Sequence, residues 1–258
     1  MSMEDILESK IADQQVTIFW LGQNSFIFKT HGGSLIALDP YFSRASPKEI
    51  YVHAEPPIRP EEVRVDYVFC THDHSDHTDP DTLPMIAESS PKAFFLGSKE
   101  SYDHFLRMGI SSESSSVLSP GLTRSFGDFT VTTFFSVPPG EETTTHYGYL
   151  FDFGGSRIYN MGDSSAGVTA NPEPVLMPVA RIRPDIAIFP IIGDYPGRKP
   201  EDAFRFARIV RPKIVIPSHY ECFANRTIDP EEFTRLFADT SEIRPVVIGY
   251  AEKYLHSW

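Results

Sequence analysis

The stretch Thr71-His72-Asp73-His74-Ser75-Asp76-His77 directly follows the apolar run DYVFC at 66–70. Neutral imidazole is the commonest protein ligand of zinc-like metals, and carboxylates complete such sites. The uninterrupted apolar run predicts a buried strand, and a loop that leaves its end can direct several of these side chains to one side. The cluster therefore predicts a metal site, with a spacing that suits two ions side by side.

Two shorter polar signals follow predicted strands later in the chain. Gly162-Asp163 comes after SRIYN at 156–160, and Ser218-His219 comes after KIVIP at 213–217. Loops at strand ends converge on one edge of an α/β structure, so we expect these residues to lie at the edge that carries the histidine cluster. The other histidines without such a setting are expected to be surface or loop residues: His31, His53, His104 and His256.

A strand meander followed by strand–helix units occurs twice along the chain. Short β-branched and aromatic runs punctuated by Gly or Pro predict the strands, and amphipathic segments predict the helices. The predicted strands cover 16–22, 25–30, 34–40, 66–70, 93–97, 129–137, 146–153, 156–163, 185–191, 213–219 and 245–250, and the helices lie near 80–90, 99–108, 200–210 and 230–239. Residues 111–120 are predicted to be a polar connection. The duplication predicts an α/β fold of two mixed sheets flanked by helices, in a single domain over 1–258.

The composition excludes several classes of protein. The 258 residues carry 23 Lys and Arg against 35 Asp and Glu, a net charge of −12, which argues against a protein that coats nucleic acid. Two cysteines are too few for a disulfide framework, so a reducing cytoplasm is expected. The start MSMEDILESK is unlike a signal peptide, and no apolar stretch can span a bilayer. We expect a soluble cytoplasmic protein with no membrane or nucleic-acid partner.

The strand-end motifs, together with Trp20-Leu21-Gly22 and Leu38-Asp39-Pro40, resemble those of the metallo-β-lactamase superfamily. Within it they are similar to the UlaG-like metal-dependent hydrolases, which include L-ascorbate-6-phosphate lactonases. The resemblance runs roughly from residue 16 to residue 223. It implies a four-layer αββα sandwich with two divalent ions, Zn or Mn, at one edge.

The resemblance also implies a role for each motif residue. The first ion would be bound by His72 and His74. The second ion would be bound by Asp76, His77 and His219, and Asp163 would bridge the two ions. Asp39 would accept a hydrogen bond from a metal-binding imidazole, although an Asp before a Pro is also a common turn residue.

The chain departs from the family pattern at two positions. In the family, the first ion has one more histidine ligand, which usually stands earlier in its loop than His146 does. We expect His146 to be that ligand in this chain. Glu141 or Glu142 is the alternative, because borderline metals also accept oxygen. Gln23 stands where relatives often have His, so any proton-transfer role at that position is lost.

The implied reaction is hydrolysis by a hydroxide that bridges the two ions, with Asp76 orienting that hydroxide. The expected substrate is a small lactone or ester, which is anionic when it carries a phosphate. Arg198, Lys199 and Tyr220 are the expected substrate contacts, with a solvated loop tip as the alternative for the basic pair. A phosphodiesterase of the same fold and a non-catalytic metal-binding relative remain as alternatives, and nothing in the sequence sets an oligomeric state.

Three other interpretations are less favoured. Flavodiiron-type oxidoreductases have the pattern HxExD at the cluster, whereas position 74 of this chain is His. The chain also has no room for a flavin domain. An RNA-processing nuclease would need a basic face or an inserted arm. Cys70 and Cys222 lie close to predicted ligands, but Cys70 belongs to an apolar run and is expected to be a small buried hydrophobic residue.

Overall fold

The computed structural model describes residues 1–44, 47–192 and 199–258. They form two compact units, Met1–Leu118 with Ile248–Trp258, and Ser119–Val247. The strands are β1 Gln15–Trp20, β2 Phe26–Thr30, β3 Leu35–Leu38, β4 Tyr67–Phe69, β5 Phe94–Gly97, β6 Ser115–Val117, β7 Thr123–Phe126, β8 Phe129–Phe135, β9 Tyr147–Asp152, β10 Arg157–Asn160, β11 Ile186–Pro190, β12 Ile214–Ser218, β13 Arg244–Pro245 and β14 Glu252–Ser257. The α-helices are α1 Met3–Glu8, α2 Leu83–Ser89, α3 Lys99–Arg107, α4 Ala166–Ala170, α5 Glu173–Ala180, α6 Pro200–Val210 and α7 Glu231–Thr234.

The first unit contains a mixed sheet of seven strands in the order β14-β1-β2-β3-β4-β5-β6. Strands β14, β1, β2 and β3 pair antiparallel, and β3, β4, β5 and β6 pair parallel. The parallel strands β3 and β4 are almost fully buried, which agrees with their continuous apolar sequences. Because β3 and β4 are parallel, the loops that follow them leave from the same edge of the sheet.

The second unit repeats this plan with a seven-stranded sheet in the order β13-β12-β11-β10-β9-β8-β7. Strands β7 to β10 pair antiparallel, and β10 to β13 pair parallel. The carboxyl ends of β10 and β12 and the amino end of β9 therefore lie at one edge. The two mixed sheets with their helices confirm the predicted fold class, whereas the single domain predicted over 1–258 remains a prediction.

Helices pack on the sheet of their own unit through aromatic side chains. In the first unit α3 packs on β5, with the Phe105 and Phe95 rings 5.8 Å apart. In the second unit α6 packs on β11, with the Phe206 and Phe189 rings 6.0 Å apart. Among the described residues, no helix is long and apolar enough to cross a membrane, and the longest, α6, has 11 residues.

Several elements differ from the sequence-based expectations. The connection predicted at 111–120 contains β6, a serine-rich strand that pairs with β5, so that prediction was wrong. The strand predicted at 245–250 is limited to the two residues of β13. The sequence patterns also missed α1, α4, α5, β7 and β14. The polar segment β14 pairs with β1, so residues from opposite ends of the chain share one sheet.

Gly148 in β9 lies where no side chain fits. A Cβ atom there would lie 2.5 Å from the Tyr159 hydroxyl oxygen, and Tyr159 is itself fully buried in β10. Within the described residues that hydroxyl has no hydrogen-bond partner. Gly148 and Tyr159 therefore form one packing unit in the second sheet.

We expect Gly148→Ala to lower the free energy of unfolding by about 1–3 kcal/mol, because overpacking displaces the Tyr159 ring. Tyr159→Phe alone should be close to neutral, since it removes an unpartnered hydroxyl. The double variant should recover part of the loss. Urea unfolding of all four proteins measures this, and Gly148→Ala as stable as the parent would refute the packing argument.

Candidate functional site

The histidine cluster lies at the carboxyl end of β4, where it was expected, and most of it is buried. His72 and His77 have no exposed surface, and their ring centroids are 4.0 Å apart. His72 Nε2 lies 2.9 Å from His74 Nδ1. This hydrogen-bond distance brings nitrogens of two different imidazoles together at the end of β4.

Asp39, at the end of β3, is the acceptor that holds this loop in place. The side chain is fully buried, and its Oδ2 lies 2.6 Å from His77 Nδ1. Thr71 donates two hydrogen bonds to this carboxylate, one from its backbone N–H and one from its hydroxyl, each with a donor–acceptor distance of 2.7 Å. The Asn24 amide donates a further bond of 2.7 Å. Since a carboxylate only accepts, His77 carries its hydrogen on Nδ1 and its lone pair on Nε2.

Asp76 is held by a residue whose role the sequence did not indicate. The Gln23 side-chain amide donates to Asp76 Oδ2 over 2.8 Å, and both residues are buried. The same oxygen lies 3.8 Å from His77 Nε2. Gln23 cannot exchange a proton near neutral pH, so its contribution to this contact is to orient the carboxylate.

Asp73, in the middle of the cluster, is held by a contact with helix α3. Asp73 Oδ1 lies 2.9 Å from Nδ1 of His104, which is in α3. Burial raises the pKa of Asp73, while the hydrogen bond from His104 opposes that shift. His104 was expected to be a plain surface or loop residue, but it is partly buried and holds the cluster loop against α3. No local sequence signal links two residues that are 31 positions apart.

The other three histidines without a strand-end setting also have defined places. His256 lies in β14 and is buried, so the expectation of a surface or loop residue was wrong for it. His53 stacks on Tyr250 with ring centroids 3.6 Å apart. His31 is exposed in the turn after β2.

In the second unit, Asp163 and His219 meet at the carboxyl ends of β10 and β12. His219 Nε2 lies 3.2 Å from Asp163 Oδ1, and both residues are almost completely buried. Gly162, with φ of 65°, donates its N–H to the Asn160 side chain, and this tight turn directs Asp163 to the sheet edge. The parallel order of these strands explains why signals 56 residues apart in sequence converge.

His146 immediately precedes β9, at the same edge of the second sheet. It is 3% exposed, and its Nε2 lies 3.1 Å from the Thr144 hydroxyl. Glu141 is engaged elsewhere, because its carboxylate accepts a hydrogen bond from Ser165, the N-cap residue of α4. Glu142 is exposed. Of the alternatives considered for this position, His146 is the buried one.

The expected substrate contacts have different settings. Arg198 lies outside the described residues, and Lys199 is an exposed residue at the N-cap of α6. Tyr220 is 2% exposed, and burial raises its pKa far above the usual value, so its hydroxyl stays protonated. Cys70 is fully buried in the core of the first unit, and burial raises its pKa as well. Cys70 is therefore a buried thiol, as expected, and Cys222 is also buried.

Three residues of the candidate site have a strained backbone. Gln23, Asp39 and His219 adopt φ angles of 53°, 44° and 66°, in the left-handed region that favours glycine. Such conformations cost of order 1 kcal/mol each and persist where the surroundings over-determine them. Strain at one predicted ligand, His219, and at two residues that hold the cluster, Gln23 and Asp39, is typical of a site where the required side-chain positions outweigh the backbone energy.

We expect Asp39→Ala to lower the free energy of unfolding of metal-free protein by about 3–5 kcal/mol, because several buried donors lose their acceptor. The matched control is Asp66→Ala, since Asp66 accepts a single backbone hydrogen bond, from Leu35. That change should cost about 1 kcal/mol. Urea unfolding in a chelator measures both, and equal losses would contradict the central place of Asp39.

The chain is similar in sequence to proteins named UPF0173 metal-dependent hydrolases. TK0141 of Thermococcus kodakarensis is 28% identical over 238 residues, which cover 88% of this chain and 95% of the relative. A relative from Archaeoglobus fulgidus is 25% identical over 244 residues, which cover 92% and 97%. The similarity thus extends over nearly the whole of each protein.

Solved structures share the fold at lower sequence identity. Igni18, described as a metallo hydrolase of Ignicoccus hospitalis, aligns with a TM-score of 0.69 and 20% identity, covering 95% of this chain and 99% of its own. An isothiocyanate hydrolase from Delia radicum gut bacteria aligns with a TM-score of 0.73 and 16% identity, covering 94% and 100%. A family model described as β-lactamase superfamily domain matches residues 17–219. With two mixed seven-stranded sheets and this match over most of its length, the chain belongs to the β-lactamase superfamily.

Proposed function

We propose that the protein is a metal-dependent hydrolase that holds two divalent ions, zinc or manganese. The observation that carries the proposal is the spacing of the donor atoms. Two ligands of one tetrahedral ion, each bound at about 2.0–2.1 Å, lie about 3.3 Å apart. The donor pairs have separations close to that value: 2.9 Å for His72 and His74, 3.2 Å for Asp163 and His219, and 3.8 Å for Asp76 and His77.

The chemistry of the donors also fits a metal ion. Buried carboxylates and imidazoles without an ion would leave charge and lone pairs in a medium of low dielectric, which is costly. The Asp39 carboxylate behind His77 is the arrangement that fixes the tautomer and increases the basicity of a metal-binding imidazole. These features support a site built for cations.

We assign the donors to two ions and a bridge. By the resemblance of the strand-end motifs, His72, His74 and His146 would hold the first ion, and Asp76, His77 and His219 would hold the second. Asp163 would be the carboxylate shared by the two ions. This assignment uses every predicted ligand and needs no oxygen donor from Glu141.

When bound, two divalent ions lower the pKa of a shared water toward neutrality and polarise a carbonyl or phosphoryl oxygen. The protein's own residues then act on substrate and proton. Asp76, oriented by the Gln23 amide on Oδ2, accepts the proton of the attacking water. Tyr220 stays protonated and donates a hydrogen bond to the oxygen that gains negative charge.

The proposed substrate is a small lactone or ester, including a phosphorylated one. Two ions contribute +4 and the carboxylates of Asp76 and Asp163 contribute −2, so the site carries about +2 in a protein that is otherwise acidic. Such a site attracts anions. The resemblance of the strand-end motifs to the UlaG-like lactonases supports the lactone class, and Lys199 is a candidate contact for a phosphate.

Metal content tests the binuclear site. After reconstitution with Zn²⁺ or Mn²⁺ and desalting, we expect about two ions per chain by elemental analysis. Asp163→Ala and His146→Ala should each lose at least one ion, while the exposed control His31→Ala should retain both. Less than one ion per chain in the parent, with no loss in Asp163→Ala, would rule out the proposal.

A substrate panel tests the reaction class. Metal-loaded protein should hydrolyse lactones, phosphorylated ones included, faster than phosphodiesters, and Asp76→Ala should lower kcat by about 10²-fold or more. His31→Ala is again the control. Faster hydrolysis of phosphodiesters would favour the alternative enzyme of this fold. Stoichiometric metal without hydrolysis of either class would favour a non-catalytic binding protein.

A further inference from the structure

A cavity of about 770 Å³ in the second unit is rich in arginine. Met177, Ala180 and Ile209 give it an apolar portion, and Glu173 is its single acidic lining residue. Its cationic lining residues are Arg181, Arg183, Arg208 and Arg211. Four of the chain's 23 cationic side chains thus meet in one cavity of a protein with a net charge of −12.

The cavity lies at the opposite edge of the second sheet from Asp163 and His219. Arg183 precedes β11 and Arg211 precedes β12, whereas His219 follows the carboxyl end of β12. A ligand in this cavity therefore does not contact the proposed metal-binding residues of this unit. The inference is independent of the proposed function.

Carboxylates do not neutralise this charge. Within the described residues, none of the four guanidinium groups has a carboxylate oxygen within 4.0 Å. An adjoining cavity of about 420 Å³ shares Arg208 and Arg211 and contains Asp239 and Glu242, which are likewise not in ion-pair contact with them. The four arginines are exposed, so solvent weakens their mutual repulsion, and an anionic ligand that engaged them would relieve what remains.

The backbone at two of these arginines is strained. Arg183 and Arg211 have φ angles of 55° and 56°, and each is followed by a proline. Glycine or asparagine is the usual residue at a left-handed position after a helix, because a Cβ atom raises its energy. The same unfavourable choice, arginine in the left-handed region before proline, occurs in both helix-to-strand turns that border the cavity. Repeated strain of this kind points to a use for the side chains.

Helix dipoles explain only part of the arrangement. Arg208 lies in the last turn of α6, where a cation stabilises the carboxyl end of a helix. That effect falls off within one turn and is small for exposed groups. It does not account for Arg183, three residues beyond the end of α5, or for a left-handed arginine where glycine would suffice.

We infer that this cavity binds a chain of two or three phosphates, either free or carried by a nucleotide. Guanidinium groups bind phosphate oxygens through paired charge-assisted hydrogen bonds, and four of them exceed what one phosphate requires. The volume lies in the range of small-molecule sites, which is about 300–1,000 Å³. Met177, Ala180 and Ile209 offer an apolar surface to the organic part of such a ligand.

The test is calorimetric titration of the metal-free full chain at low ionic strength with tripolyphosphate, ATP and orthophosphate, because these anions would also bind to metal ions. One tripolyphosphate or ATP should bind per chain, and orthophosphate should bind at least about tenfold more weakly, since it engages fewer guanidinium groups. Tighter binding of ATP than of tripolyphosphate identifies a nucleotide site, and equal binding identifies a site for the phosphate chain alone.

The variant Arg183→Gly/Arg211→Gly removes two guanidinium groups at positions that glycine tolerates, so the fold should persist with a similar Tm. Tripolyphosphate affinity should fall at least about tenfold, because each lost charge-assisted bond contributes substantially. Arg181→Ala/Arg208→Ala should give a comparable loss without changing the left-handed positions. The matched control Arg124→Ala/Arg235→Ala removes the same net charge from the second unit, outside the cavity, and should bind as the parent does.

Several results would overturn the inference. Absence of tripolyphosphate binding would do so directly. Unchanged affinity in both cavity variants would place the ligand elsewhere on the protein. An equal loss in the control would reduce the effect to the general field of the protein, and tighter binding of a single-stranded RNA than of any small phosphate would point to a nucleic-acid surface.

Discussion

The buried Asp39 carboxylate is the interaction on which the arrangement of the first unit's functional edge depends. It has no contact with solvent, so its charge is stabilised only by the donors around it. Those donors come from the turn after β1, from the residue that begins the cluster loop, and from the His77 imidazole. The turn after β1 and the cluster loop are thereby both held to the end of β3, and this requirement determines where the histidines lie.

Other residues of the first unit's cluster are also held in place by hydrogen bonds from neighbouring side chains. Gln23 orients Asp76, and His104 fixes Asp73 and with it the loop between His72 and His74. They restrict where the donor atoms can lie, which is what separates a metal site from a cluster of polar side chains.

Much of the fold was predictable because its strands are buried and apolar, and because the helix α6 has a regular apolar face and a proline at its first position. The positions of the proposed ligands at strand ends were also predictable from sequence, since each follows or precedes a strand with a strong pattern. The missed elements lack such local signals. Strand β14 is largely exposed, β6 is serine-rich, and α5 contains an internal proline. His104 and Gln23 depend on contacts between distant residues, which no short pattern encodes.

The pairing of β14 with β1 has a consequence for biosynthesis. Gln15 lies opposite Ser257, so the first sheet cannot close on this edge until residue 257 has left the ribosome. The second unit, residues 119–247, is continuous in sequence and can collapse earlier. Contacts of such long sequence separation slow folding, because the entropy of closing the loop is lost before the contacts form. During translation one edge of β1 therefore remains unpaired until β14 has been synthesised. The first unit is thus the one that most needs protection from aggregation.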